Sequence, residues 1–193
     1  MRKPLGVILA GGQGRRMGQV SKADLMLGAR RLLDLSIDRL DPQVDGIVVN
    51  ANGPIATDLD VIPDTTDDFA GPLSGILAAL IHAEGAGHSH VASVAVDTPF
   101  FPCDLVPRLQ LAGLDQSDGF AVAADGSGVH GTFGLWPVAL RPTLADFLAS
   151  GGRKVRAFTA SQNAAIALFP DTTPSAFFNI NTPDDLKDAN AWI

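Results

Sequence analysis

The chain of 193 residues is short of cysteine, of charge and of long apolar runs, and each shortage excludes something. Its one cysteine, Cys103, has no partner for an internal disulfide, which removes disulfide-stapled scaffolds and points to a reducing compartment. Charged residues make up only 18% of the chain against 46% hydrophobic ones, the balance of a chain with a buried core and not of a disordered one. No apolar run approaches the ~18 residues of a membrane span. The opening MRKPLGVILAGG carries two basic residues, but its apolar stretch stops after six, too short for a signal-peptide core. Repeats, low-complexity tracts and long linkers are absent as well. A soluble, cytoplasmic chain with no membrane attachment, folded as one domain over 1–193, is the expectation.

Basic residues are scarce too. The formal net charge is −7, which argues against broad nucleic-acid binding. Yet seven of the fourteen Lys and Arg residues fall in the first 31 positions, beside a single acid, Asp24. One basic segment on an acidic protein suggests a local anion site, with a solvated basic face as the alternative.

Apolar patterning organises the rest. GVILA (6–10), GIVVNA (46–51) and VASVAV (91–96) are continuous apolar runs of strand length, as buried parallel strands require. A short strand is expected near Val61-Ile62. Helical spacing joins Leu33, Ile37 and Leu40, and again Leu73, Ile76, Leu77, Leu80 and Ile81 after Gly71-Pro72. Further helices are expected over 104–112 and around Leu140, Leu144 and Phe147. GFAVAA (119–124) and VHGTFGLWPV (129–138) flank a DGSG turn and read as a hairpin, and AAIALF (164–169) as a last strand. Thr182 is a good N-cap for a final helix, with Pro183 at its first position and Asp184 and Asp185 suiting its dipole. Strands alternating with helices predict an α/β fold: a three-layer α/β/α sandwich on a mostly parallel, Rossmann-like sheet, with the hairpin adding an antiparallel edge. In such sheets ligands bind beyond the carboxyl ends of the strands, where Leu9 to Lys22, Asn50, Asp64 and Asp97 all fall.

The segment LAGGQGRRMGQVSK (9–22) follows the first strand. Glycines there let backbone N–H groups approach a ligand, and with Arg15, Arg16 and Lys22 alongside the natural ligand is a polyphosphate. A glycine-rich turn with solvated arginines is the plainer alternative. The Walker A spacing is missing, because six positions from Gly11, Gly12 or Gly14 never reach Gly-Lys. The dinucleotide fingerprint fails as well, its third glycine being Met17.

This spacing, Leu9-Ala10-Gly11-Gly12, then Arg16-Met17-Gly18, then Lys22, resembles the LAGG-x-x-x-R-M-G-x-x-x-K signature of nucleotidyltransferases with the nucleotide-diphospho-sugar transferase fold. VVNAN (48–52), IPD (62–64), GPLSG (71–75), DTPF (97–100) and NINTPDDL (179–186) follow in the order of one branch, the molybdenum cofactor guanylyltransferases (MobA proteins). The resemblance covers nearly the whole chain. It implies transfer of GMP from GTP to the terminal phosphate of molybdenum-molybdopterin, with release of pyrophosphate. It implies a GTP-binding half at about 1–100 and a molybdopterin-binding half at about 101–193. Transient contact with molybdenum cofactor insertion and delivery proteins and a monomeric state are further implications.

Residue by residue, the resemblance assigns catalysis to Arg16, Lys22 and Asp97. GTP would be bound by Leu9, Ala10, Gly11, Gly12, Lys22, Asn50, Asp64, Gly71, Pro72 and Asp97. Asp97 would hold Mg²⁺, which prefers one or two carboxylates plus phosphate oxygens and waters; a turn or cap role before Pro99 is the alternative. Ser21 departs from the family pattern, which often has an acid before the lysine. Asn50 could equally close a turn, and Asp64 cap a loop. Asn179 and Asn181, two apart on an extended segment, share a face and suit the pterin; a turn-and-cap role is the alternative. Arg153 and Arg156 would share a helix face at i, i+3 and receive the acceptor phosphate, or be merely solvated. His82, His88 and His90 lack Cys or carboxylate companions at a metal-site spacing. His130 stands in VHGTF, where Gly131 replaces a proline of the family pattern. Cys103 reads as a small buried residue. The rival readings are cytidylyl transfer to molybdopterin or another NTP-dependent nucleotidyltransferase of the same fold, such as one acting on a sugar phosphate, and a GTP-binding regulatory module without catalysis.

Overall fold

The computed structural model describes residues 3–11, 21–65 and 71–193. In chain order the elements are β1 (Leu5–Leu9), β2 (Met26–Leu27), β3 (Arg30–Arg31), α1 (Leu32–Leu40), β4 (Ile47–Asn50), β5 (Asp60–Ile62), α2 (Pro72–Gly85), β6 (His90–Ala95), α3 (Leu105–Ala112), β7 (Ala121–Asp125), β8 (Gly128–Pro137), α4 (Arg141–Ala149), α5 (Val155–Ser161), β9 (Ala165–Leu168) and α6 (Pro183–Asn190). Seven strands form one sheet in the order β5-β4-β1-β6-β8-β7-β9, parallel except at β8, which runs antiparallel to both β6 and β7. The hairpin therefore does not form the edge: β8 inserts between β6 and β7, and the edge beyond it is β9, parallel to β7.

Alternation along the strands sorts the core into two layers. Ile8, Val49, Val94 and Ala123 face α1, α3 and α6, packing with Leu33, Leu40, Leu105, Leu109 and Ala189. Val7, Val48, Val91 and Val122 face α2, α4 and α5, packing with Leu73, Ile76, Leu80, Leu144 and Phe158. The three-layer sandwich is thus produced by strands apolar on both faces, each face needing its own helical cover. Among the described residues no helix is long and apolar enough to cross a membrane.

Chain direction fixes where a ligand can sit. From β1 the chain crosses through α1 to β4 on one side, whereas α2 leads to β6 on the other, so β1 is the topological switch point. Register places Ile62, Asn50, Leu9 and Ala95 side by side across β5, β4, β1 and β6 at their carboxyl ends. Backbone bonds extend this row, from Ala10 N–H to Asn50 O at 2.9 Å and from Val96 N–H to Leu9 O at 3.1 Å. Opposite it, β8 breaks register: Val122 pairs with Gly134 but Ala123 with His130, leaving 131–133 looped out. Buried Ser93 of β6 anchors this loop, accepting from Trp136 Nε1 at 2.8 Å and donating to Thr132 O at 2.7 Å.

Candidate active site

A cavity of about 410 Å³, within the range of small-molecule sites, opens over the carboxyl ends of β1, β4, β5 and β6. Leu9, Gly11, Asn50, Asp64, Gly71, Pro72, Ala95 and Asp97 line it from the first half of the chain; Thr132, Asn179 and Asn181 line it from the second.

On one wall Asn50, only 3% exposed, donates to Ile62 O at 3.2 Å and to Asp64 Oδ1 at 3.0 Å. Asn52 clamps the same carboxylate from outside, donating to Oδ2 at 2.8 Å and accepting from the Asp64 N–H at 2.8 Å. Asp64 is thereby fixed by two amide side chains two residues apart, the spacing that puts both on one face of extended chain. The Asn50 amide fits there because α2 has a glycine against it: a Cβ on Gly75 would stand 2.1 Å from Asn50 Oδ1. Gly71 caps α2 at φ 72°, ψ −160°, backbone that is essentially glycine-only, and Pro72 occupies the first helical position.

The other wall is built by residues far apart in sequence. Lys22 Nζ lies 2.7 Å from Asp97 Oδ2 and 2.5 Å from Asn181 Oδ1. These side chains are sheltered, Lys22 at 15% and Asp97 at 21% exposure. The segment carrying Asn181 is drawn in by Ile180 N–H, which donates to Asp97 O at 2.7 Å, and by the buried Thr98 hydroxyl, which donates to Asn179 Oδ1. The capping box of α6 locks it from behind. Asp185 Oδ2 accepts from the N–H groups of Asn181 and Thr182 at 2.9 and 2.8 Å, and Thr182 Oγ1 accepts from Asp185 N–H at 3.1 Å. The Asn181 backbone amide first, then Thr182, hold the Asp185 carboxyl below its ordinary range against a small desolvation, and Lys22 adds to this. In segment 179–181 the Asn179 and Asn181 side chains line the cavity while the Asn181 backbone joins the cap of α6.

Other expected residues are placed as follows. Gly12 and Arg16, with Arg15, lie outside the described residues; Ala10 is buried in the core and does not line the cavity. Arg153 and Arg156 do not line the cavity. Arg153 precedes α5, whose N-cap is Lys154, so the two arginines share no helix face. Arg153 donates to Leu148 O and Gly152 O at 2.7 and 2.8 Å, and Arg156 donates twice to Val129 O. Cys103 is exposed, not buried, beside the Arg39 guanidinium. His130 stacks on Phe177 at 4.2 Å and lies 2.9 Å from Asp125 Oδ1. Burial pushes the Asp125 carboxyl up, but Ser127 and His130 outweigh it and hold it low. Sequence reasoning missed Asn52, Thr98 and Thr132. Asn52 carried a signal in its i+2 spacing from Asn50, whereas Thr132 depends on the β8 loop, which spacing does not show.

Among the described residues no three His, Cys, Asp or Glu side chains cluster as a metal site. A lone carboxylate fits Mg²⁺ only where phosphate oxygens and waters supply the other ligands, and Asp97 in this cavity is such a group.

Residues 6–165 match the family model of the MobA-like NTP transferase domain. A molybdenum cofactor guanylyltransferase of Rhizobium meliloti is 46% identical over 98% of this chain and 92% of its own length. One from Cereibacter sphaeroides is 47% identical, covering 97% and 96%. Among solved structures, molybdopterin-guanine dinucleotide biosynthesis protein A from Archaeoglobus fulgidus superposes with a TM-score of 0.74 at 23% identity, over 97% of each chain. The 2-C-methyl-D-erythritol 4-phosphate cytidylyltransferase of Thermus thermophilus gives 0.69 at 21%, over 100% and 98%. At such identities both show the fold alone, that of the nucleotidyltransferases expected from the opening motif.

Proposed function

The chain belongs to the MobA-like NTP transferase family, and from that premise we propose that it transfers GMP from GTP to the terminal phosphate of molybdenum-molybdopterin. An oxygen of the acceptor phosphate attacks the α-phosphorus of GTP; the bond to the β-phosphate oxygen breaks, and pyrophosphate leaves. The second pKa of a phosphate monoester is about 6, so the nucleophile is already ionised near neutrality and needs no general base. The chain must bring two anions together, align them and neutralise the leaving group. One observation carries the reading: Asp97 and Asn181, both lining the cavity at the switch point of the sheet, are joined by the Lys22 ammonium.

In this reading Gly11 and Lys22 hold the triphosphate, with Gly12 and Arg16 of the 9–22 segment assisting. Asp64, fixed by Asn50 and Asn52, accepts from the nucleoside, and Gly71-Pro72 offers backbone to the base. Asn179 and Asn181 take the acceptor, so residues of about 1–100 serve the nucleotide and those of about 101–193 the pterin. Asp97 would hold Mg²⁺, which supplies charge neutralisation on the phosphates when bound.

The test is pyrophosphate release with a molybdopterin acceptor and Mg²⁺, offering GTP, CTP and ATP separately. Release with GTP alone is expected, lost in Asp97→Ala and weakened through nucleotide affinity in Lys22→Ala. Preference for CTP would move the chain to cytidylyl transfer. Full turnover in Asp97→Ala would refute the metal role.

A further inference from the structure

The Asp97 carboxylate faces the cavity with an ammonium against one of its two oxygens. Lys22 Nζ sits on Oδ2 at 2.7 Å, and the Thr98 hydroxyl lies 3.3 Å from Oδ1. The lysine is itself built into place: Asn181 Oδ1 takes the same ammonium, and Asn181 is tied by its backbone to Asp185 at the cap of α6. At 15% and 21% exposure this pair is screened far less than a surface ion pair. A divalent cation approaching Asp97 therefore meets an ammonium already on the carboxylate, and two cations on one carboxylate repel. Among the described residues no cluster of three ligating side chains offsets that repulsion.

We propose that Lys22 is the counter-ion of Asp97 in the nucleotide-free protein and yields the carboxylate only when a triphosphate offers its ammonium a new anionic partner. Metal and nucleotide then bind as a coupled pair, each raising the affinity of the other by the same factor. This rests on the reading of Asp97 as metal ligand and Lys22 as triphosphate contact. It adds that Lys22 opposes the metal when no nucleotide is present.

The test is Mn²⁺ binding to the full chain, read from the electron paramagnetic resonance of free Mn²⁺, with and without α,β-methylene-GTP. Wild type is expected to bind Mn²⁺ weakly alone and more tightly with the analogue. Lys22→Met is expected to bind Mn²⁺ alone about ten-fold more tightly than wild type, the value of one sheltered charge pair, and to gain less from the analogue. Lys22→Arg, keeping the charge, should stay near wild type. If Lys22→Met does not fold, Asn181→Ala should shift Mn²⁺ binding the same way by a smaller factor, because the ammonium loses its second anchor. The proposal fails if Lys22→Met binds Mn²⁺ alone no more tightly than wild type while Asp97→Asn abolishes binding; the metal role of Asp97 then survives. Unchanged Mn²⁺ binding in Asp97→Asn with the analogue present overturns both.

Discussion

Replacing Gly75 by alanine tests how tightly the Asn50 wall of the cavity is built. As the fourth residue of α2, Gly75 replaced by alanine should on propensity alone favour the helix by at most about 1 kcal/mol. The added Cβ, however, would lie 2.1 Å from Asn50 Oδ1, 2.6 Å from its Cγ and 3.0 Å from Leu9 Cδ2. Leu9 Cδ2 is the end of a flexible side chain and can give. Asn50 cannot, because it is buried and its amide donates to Ile62 O and Asp64 Oδ1. Overpacking costs about 1–3 kcal/mol, and a lost amide hydrogen bond adds about 1 kcal/mol. Set against the propensity gain, Gly75→Ala should destabilise by about 2 kcal/mol, or roughly 4–8 °C in Tm for a chain of this size. Urea unfolding of the single variant and of Gly75→Ala in an Asn50→Ala background measures the coupling. In that background the obstacle is gone, and the glycine replacement should become neutral or stabilising. An equal cost in both backgrounds would refute the account.

Gly71→Ala should cost about 1–3 kcal/mol through its φ of 72°, although the added Cβ meets nothing within 4 Å. Gly53→Ala, also in open space but without a positive φ, is the control, and equal urea midpoints for the two would exclude backbone strain. Asp185→Ala removes half of a capping box and should cost about 1 kcal/mol at pH 7. Because the folded carboxyl titrates below its unfolded value, its contribution is present above about pH 4 and lost as pH falls through the folded pKa. The melting difference from wild type should therefore shrink on acidification, and a constant difference down to pH 3 would contradict it. Arg156→Ala, which loses two bonds to Val129 O, should lower Tm while leaving the KM for the acceptor unchanged; a ten-fold rise in that KM would return the arginine to the pterin site.

Local patterning made much of this legible. Continuous apolar runs mark β1, β4 and β6 because strands covered on both faces have no polar side to show. Thr182-Pro183-Asp184-Asp185 announces α6 because capping chemistry acts within four residues. The location of the cavity follows from the carboxyl-end rule once strand order is granted. The place of β8 was not legible, since a hairpin can dock at an edge or between strands with the same local sequence. Arg153 and Arg156 misled for a related reason. An i, i+3 spacing implies a shared face only inside a helix, and α5 begins at Val155.

What spacing could not give is the pairing that makes the cavity chemical. Lys22 meets Asp97 across 75 positions and Asn181 across 159, and Thr98 meets Asn179 across 81. Each partner looks ordinary where it stands: a lysine after a serine, a threonine in a turn, an asparagine before a cap. They converge because Ile180 N–H bonds Asp97 O, stitching the segment before α6 to the end of β6, so Asn179 and Asn181 reach Thr98 and Lys22. A change at the cap of α6 therefore propagates to Lys22 without touching either ligand. Asp185→Ala should accordingly raise the KM for GTP as well as lower stability, whereas Thr182→Ser, which keeps the capping hydroxyl, should do neither. An unchanged GTP KM in Asp185→Ala would mean that Lys22 holds its place through Asp97 alone.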